Sequence, residues 1–150
     1  MPMSITDDVV ATLRAQLAGH ADEHESRWDQ LTAPARQQYR ALVLAAFCQA
    51  ADARFAPATP AADVIEYVSE VRSRSARGAE LLDPGTAERL LLAVYTDEDI
   101  SDIDPAASYR TEILLLGALT ADARLDAPSL DDFLATARDT ADHWLATTPA

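Results

Sequence analysis

The sequence predicts an all-α protein: about six helices in a bundle built on two repeated helical hairpins. Three observations carry this. Apolar residues make up 49% of the 150-residue chain, much of that share is alanine, and glycine occurs 4 times. Alanine loses no side-chain entropy in a helix, whereas glycine loses the most backbone entropy. Apolar positions recur at spacings of three and four, and no segment alternates as a strand would. Finally, YRALVLAAFCQAADARF (39–55) returns 70 residues later, without a gap, as YRTEILLLGALTADARL (109–125), with 7 identities in 17 positions. Each copy leads through a Pro-containing turn to another amphipathic segment, so the repeats run about 39–75 and 109–145. A duplicated amphipathic unit buries its face most simply against its own copy, which predicts a pseudo-twofold relation within a single domain, 1–150.

The elements follow in order. The first helix starts after Ser4 or Thr6 and runs to about Leu31, with a stripe of Ile5, Val9, Leu13, Leu17, His20, His24, Trp28 and Leu31 and a loosening point at Gly19. Thr32 caps a second helix, with Pro34 in its first turn and Tyr39, Leu42, Val43, Ala46, Phe47 and Ala50 inward. A turn over 56–60 ends in Thr59-Pro60, which restarts a helix whose inner face is Val64, Ile65, Val68 and Val71. Arg72, Arg74 and Arg77 suit the end of that helix, and Gly78 terminates it. Asp83-Pro84 opens a short fourth helix holding Leu90, Leu91, Val94 and Tyr95. An acidic connection, 96–104, leads to Asp104-Pro105 and the fifth helix. There Ile113, Leu114, Leu115 and Leu116 are apolar on every side, which places them centrally. Ala127-Pro128 breaks that helix, and Ser129 caps a last one striped by Leu130, Phe133, Leu134, Ala137, Ala141, Trp144 and Leu145.

Charge narrows the function. The net charge is −13, all 12 basic residues are Arg, and the second half is the more acidic, with 15 acids against 5 Arg in 76–150. Such a polyanion repels phosphates, so neither nucleic acid nor an anionic membrane surface is an expected partner. A partner protein with a basic surface is the one that fits, and a homodimer is compatible with the chain. MPMSITDDVV has neither the basic nor the apolar region of a secretory signal, and Ile113–Leu119 is far too short for a membrane span, so a cytoplasmic protein is expected. The lone Cys48 sits in an apolar helix and reads as a buried, inert thiol.

Three constellations stand out. His20 and His24 in HADEH have the i,i+4 spacing of a helical metal pair. Ala21 stands where HExxH needs its Glu, and a metal would need a third ligand from elsewhere; otherwise the two rings pack beside Trp28. No cofactor is predicted. Asp97, Glu98, Asp99 and Asp102 belong to a run of five acids in eight residues. As a calcium loop from Asp97 the run fails at Asp102, where Gly is needed, and at Ser108, where Glu is needed. It remains a solvated connection or an acidic docking surface, with mutual repulsion opposing compaction. The Ala-Asp-Ala-Arg runs bring Asp52, Asp122, Arg54 and Arg124 to the two bends, where carboxylates would bond to turn backbone and Arg would suit a helix end. Asp139 and His143 read as a surface i,i+4 pair.

The bend Ala121-Asp122-Ala123-Arg124-Leu125-Asp126, between an apolar and an amphipathic helix, resembles that of the tellurite-resistance B-like helical domains. Those are also built from two related hairpins, with an Ala-Asp-Gly-x-Ile/Leu-Asp-x-x-Glu bend. The chain departs from the pattern: Ala53 and Ala123 replace Gly, Ala56 replaces the later acid, and Ser129 replaces Glu. The resemblance therefore implies the topology and an interaction or stress-associated role, while the departures touch the acids of that family's metal binding. With no phosphate loop, CxxC or Ser-His-Asp pattern, the sequence reads as a non-catalytic adaptor, regulatory or immunity-type protein. The alternative is a small-molecule-binding or accessory enzyme domain, with a cavity between the hairpins lined by Tyr39, Tyr109, Trp28 and the His pair.

Overall fold

Most helices start here where a side chain meets the free N–H groups of a first turn. The computed structural model describes residues 4–55 and 59–147 and contains, among them, eight α-helices and no strand. They are α1 (Asp7–Leu17), α2 (Ala21–Gln30), α3 (Ala33–Arg54), α4 (Ala61–Ser73), α5 (Ala76–Leu81), α6 (Pro84–Tyr95), α7 (Pro105–Ala123) and α8 (Ala127–Thr147). Thr6 caps α1, Thr32 bonds to Ala35 N at the start of α3, Asp83 caps α6 through Thr86 N, and Asp104 bonds to Ala107 N at the start of α7. None of the helices is long and apolar enough to cross a membrane, among the described residues.

Eight helices replace the six expected because two predicted helices are interrupted. The first ends at Leu17. Gly19 takes φ +82°, and bonds from His20 N to Ala15 O and from Gly19 N to Gln16 O close a Schellman end. Gly78 does not end α4. That helix stops at Ser73, and Ser75 caps the one-and-a-half turns of α5, in which Gly78 N donates to Ser75 Oγ at 2.8 Å. Two caps also differ from expectation. Asp126, rather than Ser129, caps α8, accepting from Ser129 N at 2.9 Å. At α4 the cap position is Pro60, which offers no side-chain acceptor. Residues 56–58 of the predicted turn lie outside the described residues.

The chain divides into two compact units. Unit one, Met1–Ala46 with Thr120–Ala150, holds α1, α2, the first part of α3, the end of α7, and α8. Here α1 packs on α2 and α8, and Ile5, Val9, Leu13, Tyr39, Leu42, Leu134 and Ala137 are buried. Ile5 N donates to Asp142 at 2.6 Å, while Arg138 donates to Asp7 at 2.8 Å and to Ile5 O at 2.6 Å, tying the N-terminal segment to α8. Asp139 and His143 are exposed and form no pair with each other, so the predicted surface pair is absent.

Unit two, Phe47–Leu119, holds the end of α3, α4, α5, α6 and most of α7. There α4 packs on α5 and α6 around Phe55, Val64, Tyr67, Val68, Leu82, Leu90 and Leu91, all buried. Arg72 joins α4 to α5 by donating to Leu82 O and Ala79 O, each at 2.8 Å. In α7, Leu115 and Leu116 are buried as expected, but Ile113 and Leu114 are only half-buried. A helix apolar on every side is thus covered on part of its circumference.

Candidate functional site

The predicted interaction residues occupy one ordered connection in unit two. Helix α6 ends at Tyr95, where Thr96 Oγ1 donates to Leu92 O at 2.6 Å and accepts from Glu98 N at 3.2 Å. Asp99 accepts from Ser101 N at 2.9 Å, an Asx-type turn, and Ile103 N reaches Ile100 O. Asp104 then starts α7. Backbone and short side chains thus define the path from α6 to α7.

Arg89, one and a half turns before the end of α6, organises the acids. Its Nε donates to Glu98 at 3.2 Å, and Nη1 and Nη2 donate to the two oxygens of Asp102 at 3.1 and 2.6 Å. Nη2 also donates to Asp99 O. The two-toothed contact with Asp102 matches the planar guanidinium fork. The hydrogen bond to Asp102 holds the Arg89 pKa above its ordinary value, and Arg89 in turn lowers that of Asp102. Asp99 is lowered chiefly by its bonds to Ser101.

The expectation of a connection opposed by its own repulsion is therefore corrected for part of it. Glu98 and Asp102 are ion-paired, Asp99 is committed to a turn, and Asp97 has no partner among the described residues. All four remain exposed. Five carboxylates and one guanidinium leave a surface of net charge −4 on a defined backbone. Sequence reasoning does not find Arg89, because ion pairs spanning 9 and 13 residues are not a local pattern.

The histidines do not share one helix. His20 is the exposed N-cap of α2, with ψ 72° and no side-chain cap bond, because the chain turns at Gly19. His24 is half-buried in α2, and its Nδ1 donates to Thr12 O at 2.8 Å. Its ring lies 6.1 Å from that of Tyr39, and Tyr39 meets Trp28 edge-on at 5.2 Å. Arg36 stacks on Trp28 at 4.6 Å and donates to its carbonyl. Tyr39 is buried, with its hydroxyl donating to Gln16 at 2.5 Å. These side chains fill one another's space; Tyr109, the other tyrosine of the predicted cavity, belongs to unit two. No three His, Cys, Asp or Glu side chains are grouped to hold a metal ion among the described residues.

The two bends differ in detail. Arg54 ends α3 and lies over the rings of Phe55 and Tyr67 at 5.3 and 5.2 Å, whereas Arg124 follows α7 in the left-handed region at φ 52°. Asp52 is exposed and makes no hydrogen bond among the described residues, contrary to the bond to turn backbone expected of it. Beside it on α3, the half-buried Cys48 thiol is pushed up to about 11 by burial first, then by Glu112 and Asp52. Burial also raises the Glu112 carboxyl to about 7. A thiol so displaced stays protonated near neutrality and is a poor nucleophile.

Comparison of the chain with protein-family models, with curated proteins and with solved structures gives no match. The functional reading therefore rests on the geometry above.

Proposed function

We propose that this protein acts by binding another protein, as a non-catalytic adaptor, regulatory or immunity-type domain, and that the connection 96–104 docks a basic surface. The observation that carries the reading is the Arg89 clamp, which holds exposed carboxylates on a defined path instead of leaving them on a loose loop. Preorganised charge lowers the ordering cost of association and steers encounter. The same reading takes 39–75 and 109–145 as duplicated hairpins of the tellurite-resistance B-like kind. Its support is the sequence identity and the ends of α3 and α7 at Arg54 and Ala123, one residue apart in the repeat register. The links to the next helix, six residues before α4 and three before α8, differ between copies.

The test replaces Asp97, Glu98 and Asp99 with Ser, leaving Asp102 on Arg89. A partner captured from native lysate by the wild-type protein is then titrated against both forms across ionic strength. The expected outcome is slower association and a flatter salt dependence for the variant, with an unchanged melting temperature. Unchanged on-rates and an unchanged salt slope would overturn the reading.

A further inference from the structure

The apolar surface that α7 leaves uncovered is lined by none of the residues of the acidic connection. Ile113 and Leu114 of α7 and Leu81 of α5 line an open groove of about 410 Å³ in unit two. Leu81 is 52% exposed, more than the other exposed large hydrophobic residues, Leu44 and Ile65, among the described residues. A knob of this kind beside half-exposed Ile and Leu is an apolar face without a lid. Two charged groups flank it: Glu80 on α5 and Arg110 on α7 line the same groove. Both are exposed, and neither makes a hydrogen bond or ion pair among the described residues.

We propose that this face binds a second copy of the chain across a two-fold axis. A two-fold contact is isologous, so a residue on one wall of the face meets the opposite wall of the other copy. One unpaired acid on α5 and one unpaired Arg on α7, lining the same apolar groove, can be complementary to themselves under that operation. Glu80 meets Arg110 of the second copy, Arg110 meets Glu80 of the second copy, and Leu81 of each copy enters the Ile113 and Leu114 groove of the other. Each chain carries a net charge of −13, so long-range repulsion opposes the contact. Salt screens that repulsion beyond a Debye length of about 8 Å at physiological ionic strength, so self-association strengthens as salt rises from low values. Docking of a basic partner on the acidic connection has the opposite salt response, so the two readings fail separately.

Sedimentation of the full chain over a range of concentrations tests the proposal. The expected result is a monomer–dimer equilibrium, weakened on the order of 10-fold or more by Leu81→Asp, as for truncation of a central apolar contact. Glu80→Arg and Arg110→Glu should each weaken it, and the double charge swap should restore it to within roughly 3-fold of wild type. Circular dichroism melts establish that each variant folds; the charge-swap cycle decides the matter if Leu81→Asp does not. A photo-crosslinker at position 113 should yield an adduct of twice the chain mass. A monomer at every concentration, a dimer indifferent to Leu81→Asp, an absent rescue by the double swap, or a crosslink to another protein alone would each overturn the proposal.

Discussion

Replacing Glu112 with Gln should stabilise the protein at alkaline pH and leave it nearly unchanged in acid. Glu112 is half-buried on α7, and burial lifts its pKa from an ordinary 4.5 to about 7. Burial is the cause of this displacement, and no ion pair among the described residues offsets it. The folded carboxyl holds its proton to a higher pH than the unfolded one, so the folded state binds more protons between about 4.5 and about 7. Stability attributable to this group is therefore intact at the acid end and falls as pH rises through that window. At about 1.4 kcal/mol per pH unit the full displacement would correspond to about 3 kcal/mol. Partial contact with water screens the charge, so a difference of about 1–2 kcal/mol is the working figure. Urea melts of wild type and Glu112→Gln at constant ionic strength give the difference directly, and the titrations common to both cancel. The variant should match wild type near pH 4.5, gain through the window, and hold its advantage from about pH 7.5 to about pH 8, below the range in which the Cys48 thiol titrates. A difference that does not change with pH, or a variant less stable at pH 8, would refute the assignment of a desolvated carboxyl.

Other perturbations separate the remaining contributions. Leu115→Ala removes a side chain of 0% exposure and should cost about 2–5 kcal/mol in chemical melts; a loss of a few tenths would show that the site is not part of a packed core. Asp83→Ala leaves Thr86 N at the start of α6 without its cap and should cost about 1 kcal/mol, a fall of about 2–4 °C in melting temperature by calorimetry. Cys48 should react with iodoacetamide at pH 8 at least ~10-fold more slowly in the folded protein than in urea, and Glu112→Gln should speed the folded reaction by removing a charge that raises the thiol pKa. A folded-state rate equal to that in urea would contradict its burial.

Which features of this chain were legible as sequence follows from the range of the interaction behind each. Thr32, Asp83 and Asp104 were legible as helix starts, and Thr6 as one of two candidates with Ser4, because each accepts from an N–H three residues on. The all-helical class was legible for the same reason: alanine content and three-and-four spacing act within a turn or two. Errors began where a local signal had two outcomes. Gly19 permits either a weakened helix or a left-handed stop, and the Schellman bonds chose the stop. Gly78 could end a helix or lie inside one, and Arg72, bonded to carbonyls 7 and 10 residues away, accompanies a break at Ser73 instead. The acidic connection was visible as composition, but its Arg89 clamp spans 9 to 13 residues. Nothing in the local pattern around Glu112 distinguishes a carboxyl that stays wet from one that loses water. That distinction, like the exposure of Leu81 beside Ile113 and Leu114, is a property of surfaces brought together from distant positions. Local hydrogen bonding determined where the helices are; packing determined which of their charges are paired, which are dry, and which apolar faces are left open.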